Sequence, residues 1–257
     1  MANQESTART LVVALTLCIV CSLVVSGAAV MLKPAQVANK ALDLKRNILS
    51  AAGLLQVDVD IDEQFAQVST RMVDLQTGKF TEDVNVQGFN QRKSSKNPDT
   101  SIELDPSQDT AKISRRENYA LVYLIESEGQ LDKVILPIHG YGLWSTLYGF
   151  VALERDTNTI KGLGFYEHGE TPGLGGEVDN PKWKSSWVGK KVYKDDAVAV
   201  RLVKGMANSA ADDADYQIDG LAGSTLTSRG VNNLVKFWLG DMGFKPFLNN
   251  LRSGEAG

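Results

Sequence analysis

Cysteine is nearly missing from this sequence: only Cys18 and Cys21 occur in 257 residues, and both fall inside one uncharged run near the start. The remainder of the chain has none, which excludes a disulfide framework for the body of the protein. Histidine is as scarce. His139 and His168 stand apart, without the H-E-x-x-H spacing or cysteine neighbours that hold zinc, so no metal site is expected. Excess positive charge is also missing. Lys and Arg number 27 against 31 Asp and Glu, a net charge of -4, and no basic stripe offers nucleic acid a footprint. The chain has neither a Walker sequence nor a G-x-G-x-x-G after an early strand. This argues against a nucleoside triphosphate or nicotinamide dinucleotide bound by this chain. No Ser-His-Asp arrangement supports hydrolysis.

What is present begins with residues 10–32, TLVVALTLCIVCSLVVSGAAVML, an uncharged run between Arg9 and Lys33. At about 1.5 Å per residue such a helix extends about 34 Å, enough for a hydrocarbon core of about 30 Å. Ser26-Gly27-Ala28-Ala29 has the small residues of a signal-peptidase site, but the run exceeds the usual h-region of about 7 to 15 residues. A retained single-pass anchor is the expectation. Charge leans towards a cytoplasmic body, because Lys33, Lys40, Lys45 and Arg46 follow the run. Cys18 and Cys21, three apart on a membrane helix, read as small packing residues. A metal centre shared with a neighbouring subunit is the alternative.

Beyond the anchor, residues 34–51 continue as helix and Gly53 ends them. Ile61, Phe65, Val68, Met72 and Leu75 recur at helical spacing, predicting a second helix that stops at Thr77-Gly78-Lys79. Residues 89–118 are polar, with two prolines, and read as a linker in which Arg115, Arg116 and Glu117 form a solvated charge run. From Tyr119 onward short apolar runs predict strands over 119–126, 134–138, 145–153, 159–166 and 198–203. A final amphipathic helix is expected over 226–239. The expected domains are a cytoplasmic tail (1–9), a transmembrane helix (10–32), a membrane-proximal helical section with a polar linker (33–118) and a mixed α/β (α+β) domain with a twisted sheet (119–257).

Three loops carry the chemistry. Residues 139–145 read H-G-Y-G-L-W-S, residues 168–176 read H-G-E-T-P-G-L-G-G, and residues 219–228 read D-G-L-A-G-S-T-L-T-S. Each alone is explicable as turn chemistry, and the third as an ordinary helix N-cap. Together they offer apolar walls (Leu143, Trp144, Leu174), backbone N–H groups, and hydroxyls at a helix start, where a phosphate is stabilised. A planar, phosphate-bearing ligand such as a flavin needs that mixture.

These motifs, with the N-terminal anchor, resemble the FMN-binding domain family, and within it the C subunits of sodium-translocating NADH:quinone reductases. The resemblance extends over essentially the whole chain. It implies FMN attached covalently, as a phosphoester to a threonine hydroxyl, by a flavin transferase that uses FAD. The family pattern is Asp, two residues, Ser or Thr, Gly, Ala, then the modified Thr or Ser. Laid on this chain, it makes Thr225 the attachment position and Asp219 and Gly223 the transferase-recognition residues. Ala222 and Ser224 depart from the pattern, and Ser224 and Thr227 are the competing hydroxyls. Leu143, Trp144, Thr171, Gly173, Leu174, Gly223, Ser224, Leu226 and Thr227 are the expected cofactor-binding residues.

The resemblance further implies an electron relay in a complex that oxidises NADH, reduces ubiquinone and exports Na+. The partners are then the other subunits. The resemblance also implies a flavin domain on the periplasmic side of the bacterial inner membrane, against the charge asymmetry. The lone membrane helix has no ionisable residue and hence no evident sodium path. Two other readings stand: an Rnf-type electron-transport protein with covalent FMN, and a membrane-anchored assembly protein whose flavin motif is empty.

Overall fold

The computed structural model describes residues 6–257, and the chain divides into two units, Met1–Asp43 and Leu44–Gly257. Helix α1 (Thr7–Ala51) supplies all the described structure of the first. As far as Leu42 its apolar side chains are exposed all round, Leu23 by 68% and Met31 by 82%. That pattern suits a helix surrounded by lipid rather than one packed on a core. Among the described residues it is the one helix long and apolar enough to cross a membrane. Pro34 lies within it; without an N–H it forfeits one helical hydrogen bond, yet the helix continues through it as expected.

The second unit begins with the last turns of α1, where Ile48 and Leu49 are fully buried. Each such side chain stabilises by about 1.5–3 kcal/mol. A single turn, α2 (Ile61–Phe65), follows, capped by the Asp60 carboxylate, which accepts from the N–H groups of Asp62 and Glu63. Then come strands β1 (Val68–Asp74) and β2 (Lys79–Phe80), the short α3 (Gln91–Ser94), and the β3–β4 pair (Ser101–Glu103, Arg115–Glu117). The long strands are β5 (Tyr119–Ser127), β6 (Gln130–Tyr141), β7 (Thr146–Glu154) and β8 (Ile160–Glu167). Short elements follow: α4 (Pro181–Ser185), β9 (Tyr193–Lys194), β10 (Ala197–Val198), β11 (Arg201–Leu202) and β12 (Gln217–Ile218). Helices α5 (Thr225–Trp238) and α6 (Lys245–Ser253) close the chain.

The principal sheet has six strands in the order β2-β1-β5-β6-β7-β8, all antiparallel. Alternation gives it two apolar faces. Val122 and Leu124 of β5 and Leu136 and Ile138 of β6 join α5 and α6 in one cluster. Tyr123, Ile135 and Phe150 join Ile48 and Leu49 in the other.

Four expectations fail here. The helix expected over 61–75 stops after one turn. Val68 to Asp74 instead pair with β5 along seven residues, because the β-branched run satisfies its backbone there and tertiary pairing overrides the helical spacing. Residues 33–118 therefore form no separate helical section, since β1 and β2 are strands of the main sheet. The charge run is not solvated either. Arg116 Nη1 donates to the Met242 carbonyl at 2.7 Å, Glu117 is fully buried, and Gln91 Nε2 donates to its Oε1 at 2.5 Å. Burial pushes the Glu117 carboxyl up to about 7 against hydrogen bonds and the Arg116 charge that favour ionisation. Last, the strand expected over 198–203 is broken in two, and β11 pairs in parallel with β12 just before the third loop. Helix α6 was not anticipated.

Candidate functional site

Helix α5 builds the site. Val231, Leu234, Val235 and Trp238 are buried on its sheet-facing side, and Trp238 Nε1 donates to the His139 carbonyl of β6 at 2.6 Å. This packing presents the first turn of the helix at the end of the β6–β7 hairpin. Gly223 enters it at φ +70, a left-handed conformation that glycine adopts without penalty. The Ser228 hydroxyl accepts from the Leu221 N–H at 2.9 Å and ties the turn to the helix. Ser224 occupies the N-cap position, yet no side chain caps this end. The hydroxyl-rich turn is therefore not an ordinary cap. Its first-turn N–H groups and the positive end of the helix dipole are available to an anion.

Glu170 is the organising side chain, and it is 5% exposed. Its Oε1 accepts from the backbone N–H groups of Leu143 and Trp144, each at 3.0 Å, and of Ser145 at 3.4 Å. Its Oε2 accepts from the Thr227 hydroxyl at 2.6 Å, and Thr227 in turn receives the Ser224 hydroxyl at 3.0 Å. One carboxylate thus joins all three loops. Burial opposes its charge, but the Thr227 hydroxyl and the Trp144, Leu143 and Ser145 N–H groups outweigh it and hold the carboxyl below its ordinary value. Two glycines permit the approach. A Cβ on Gly175 would stand 2.6 Å from Thr227 Oγ1, and one on Gly142 would stand 2.6 Å from Glu170 Oε1. The Ser145 hydroxyl adds a further tie, accepting from the Gly169 N–H at 2.6 Å.

Between these loops lies a cavity of about 240 Å³. Leu143, Trp144, Thr171, Leu174, Gly223, Ser224, Thr225, Leu226 and Thr227 line it, joined by Glu170 and Gly175. Trp144 is 67% exposed and Leu226 52%, so large apolar faces stand open at its rim. The three candidate hydroxyls differ. Thr225 is exposed, whereas Ser224 and Thr227 are buried and bonded as above.

Gly173 and Asp219 do not line the cavity. Gly173 turns its loop at φ +75. The Asp219 carboxylate accepts from the Ala207 N–H at 2.7 Å, and its carbonyl accepts from Trp183 Nε1 at 2.8 Å. His139 is packed between Tyr148 and Trp238, where burial and the Arg92 charge lower its pKa to about 4. His168 meets Asp179 at 2.8 Å. Neither histidine lines the cavity, and no group of metal-binding side chains occurs among the described residues. A larger hollow, about 360 Å³ at Asp156, Asp195, Asp196 and Arg252, has no comparable apolar wall. Glu170 and Gly175 are the site residues that sequence reading missed. The available signal was a lone carboxylate inside a glycine-rich, otherwise uncharged loop.

Residues 142–240 match the family model described as the FMN-binding domain. Over its whole length the chain is 54% identical to the C subunit of the Na(+)-translocating NADH-quinone reductase of Pseudomonas aeruginosa, also over that protein's whole length. It is 48% identical to the protein of the same name from Vibrio alginolyticus, over 98% of each chain. Among solved structures, Shewanella oneidensis NqrC superposes with a TM-score of 0.78 at 41% identity, covering 84% of this chain and 99% of that one. The exposed apolar helix fits a membrane-anchored member of such a group. The chain belongs to the family of C subunits of Na(+)-translocating NADH-quinone reductases, with an FMN-binding domain over residues 142–240.

Proposed function

We propose that this protein is the covalent-FMN electron-relay component of a membrane complex that couples NADH oxidation and quinone reduction to Na+ export. The residues fit the cofactor. Leu143, Trp144, Leu174 and Leu226 offer apolar faces to a planar ring, while an uncapped helix start and an exposed hydroxyl face the same cavity. The FMN, when bound, supplies the redox chemistry. The chain's own residues attach it, orient it and set its electrostatic surroundings.

The observation that carries the attachment reading is the accessibility of Thr225. Ser224 and Thr227 are committed to the Glu170 network, and a phosphoester on either would break it. The Thr225 hydroxyl stands outside that network beside the helix N-terminus, where a phosphate is stabilised. Asp219 and Gly223, outside and at the edge of the cavity respectively, are assigned to recognition by the flavin transferase. The test is a denaturing gel viewed under ultraviolet light, with protein from cells that express the transferase. A fluorescent band at the mass of this chain is expected, and Thr225→Ala should abolish it. A band that persists moves the attachment elsewhere; no band from the unaltered chain favours an assembly protein with an empty motif.

The reading also assigns the flavin domain to the periplasmic side of the inner membrane. Lys96 is exposed on the polar segment. A cysteine introduced there should react with a membrane-impermeant thiol reagent added to intact, outer-membrane-permeabilised cells. Labelling only after the inner membrane is broken overturns that orientation.

A further inference from the structure

A second cavity, of about 270 Å³, adjoins the first and shares Leu143 and Leu226 with it. Lys112 and Arg229 both line it, with Thr110, Tyr141 and Asn233, and no acidic side chain does. Neither cation takes part in an ion pair among the described residues, although the chain carries more acidic than basic groups. Both side chains are exposed; their like charges on one cavity repel each other, and an anion bound between them would relieve that repulsion.

The fold fixes the backbone at both positions. The turn carrying Lys112 is docked on the end of β6 through the Tyr141 N–H, which donates to the Ala111 carbonyl at 2.8 Å. The nearest acid in sequence, Asp109, is occupied, accepting from the Ile113 and Ser114 N–H groups at 2.9 and 2.7 Å. Lys112 itself sits at φ +54, an uncommon conformation for a lysine. Arg229 follows Thr225 by four residues on α5, which places both on one face of the helix with Cβ atoms about 5–6 Å apart. A guanidinium is the side chain best matched to a phosphoryl group.

We propose that Lys112 and Arg229 form a phosphoryl-recognition subsite beside the flavin cavity, with Arg229 acting on the phosphate carried at Thr225. The inference rests on Thr225 as the attachment position. The ligand chemistry is a flavin phosphate, whether of the attached cofactor or of a free flavin nucleotide.

The experiment uses the full chain in detergent from cells lacking the transferase, titrated with FMN and with riboflavin, which has no phosphate. The unaltered chain should bind FMN about tenfold or more tightly than riboflavin, a preference that shrinks as salt rises. In the Lys112→Gln, Arg229→Gln double variant the preference should fall to within about threefold, with riboflavin affinity unchanged as a control for the fold. Thr225→Ala should keep the full preference, so failure of the attachment reading on the gel is distinguishable from failure here. The subsite is overturned if the unaltered chain binds no FMN or shows no preference for it. It is also overturned if the double variant retains the preference, or if inorganic phosphate in large excess leaves FMN binding undiminished.

Discussion

Thr227 donates its hydroxyl to Glu170 at 2.6 Å, and through that bond the helix that presents Thr225 is fastened to the loop that walls the cavity. Thr227→Val keeps the shape but removes the donor from a buried carboxylate. A loss of about 1–3 kcal/mol follows, measurable as a lower midpoint in thermal or urea unfolding. The pH dependence has a definite sign. A carboxyl whose folded pKa is depressed contributes stability above its unfolded value of about 4.5, and that contribution is lost as pH falls through the lower folded value. Glu170→Gln should therefore lie furthest below the unaltered protein near neutrality and approach it under acid.

Ser224 separates attachment from architecture. Its hydroxyl is buried and donates to Thr227, so Ser224→Ala should cost about 0.5–1.5 kcal/mol of stability. The fluorescent band should remain. Disappearance of the band in a folded Ser224→Ala protein would transfer the attachment from Thr225 to Ser224.

Gly175→Ala drives a methyl group to 2.6 Å from Thr227 Oγ1 and 2.7 Å from Glu170 Oε2. Neither atom belongs to a freely moving side-chain end, so the network must part or the loop must shift. Overpacking of this kind costs about 1–3 kcal/mol. The variant should unfold earlier and take up less covalent flavin. Unchanged loading would mean that the network is not needed to present Thr225.

Glu117 sets a different pH signature. Its carboxyl is pushed up to about 7, so between the unfolded value near 4.5 and about 7 the folded state holds more protons than the unfolded one. Its contribution to stability therefore falls as pH rises through that window. His139, lowered to about 4, acts in the opposite sense from about 6.5 down to 4. Glu117→Gln isolates the first effect. Its stability relative to the unaltered protein should rise between pH 5 and 8, and a flat difference would show that Glu117 is ionised in the fold throughout.

Much of this was legible in local pattern. The anchor follows from length and apolarity alone, the strands after Tyr119 from short apolar runs, and α5 from amphipathic spacing. The polar stretch before Tyr119 misled. Arg116 and Glu117 look solvated because their partners, Met242 and Gln91, lie 126 and 26 residues away. The run from Ile61 to Leu75 satisfies a helical spacing and also a strand, and only pairing with β5 decides between them.

Sequence alone determined the long apolar helix, the class of the domain and the three loops that matter, because each depends on residues close together in the chain. Tertiary structure alone decided which hydroxyl is available. Ser224, Thr225 and Thr227 are chemically alike, and only the approach of Glu170, 57 residues from Thr227, buries two of the hydroxyls in a shared network and leaves Thr225 facing the cavity. It likewise brought Lys112, from an apparent linker, to the same cavity as Arg229. Such distinctions arise from long-range burial and hydrogen bonding, which no local window of sequence contains.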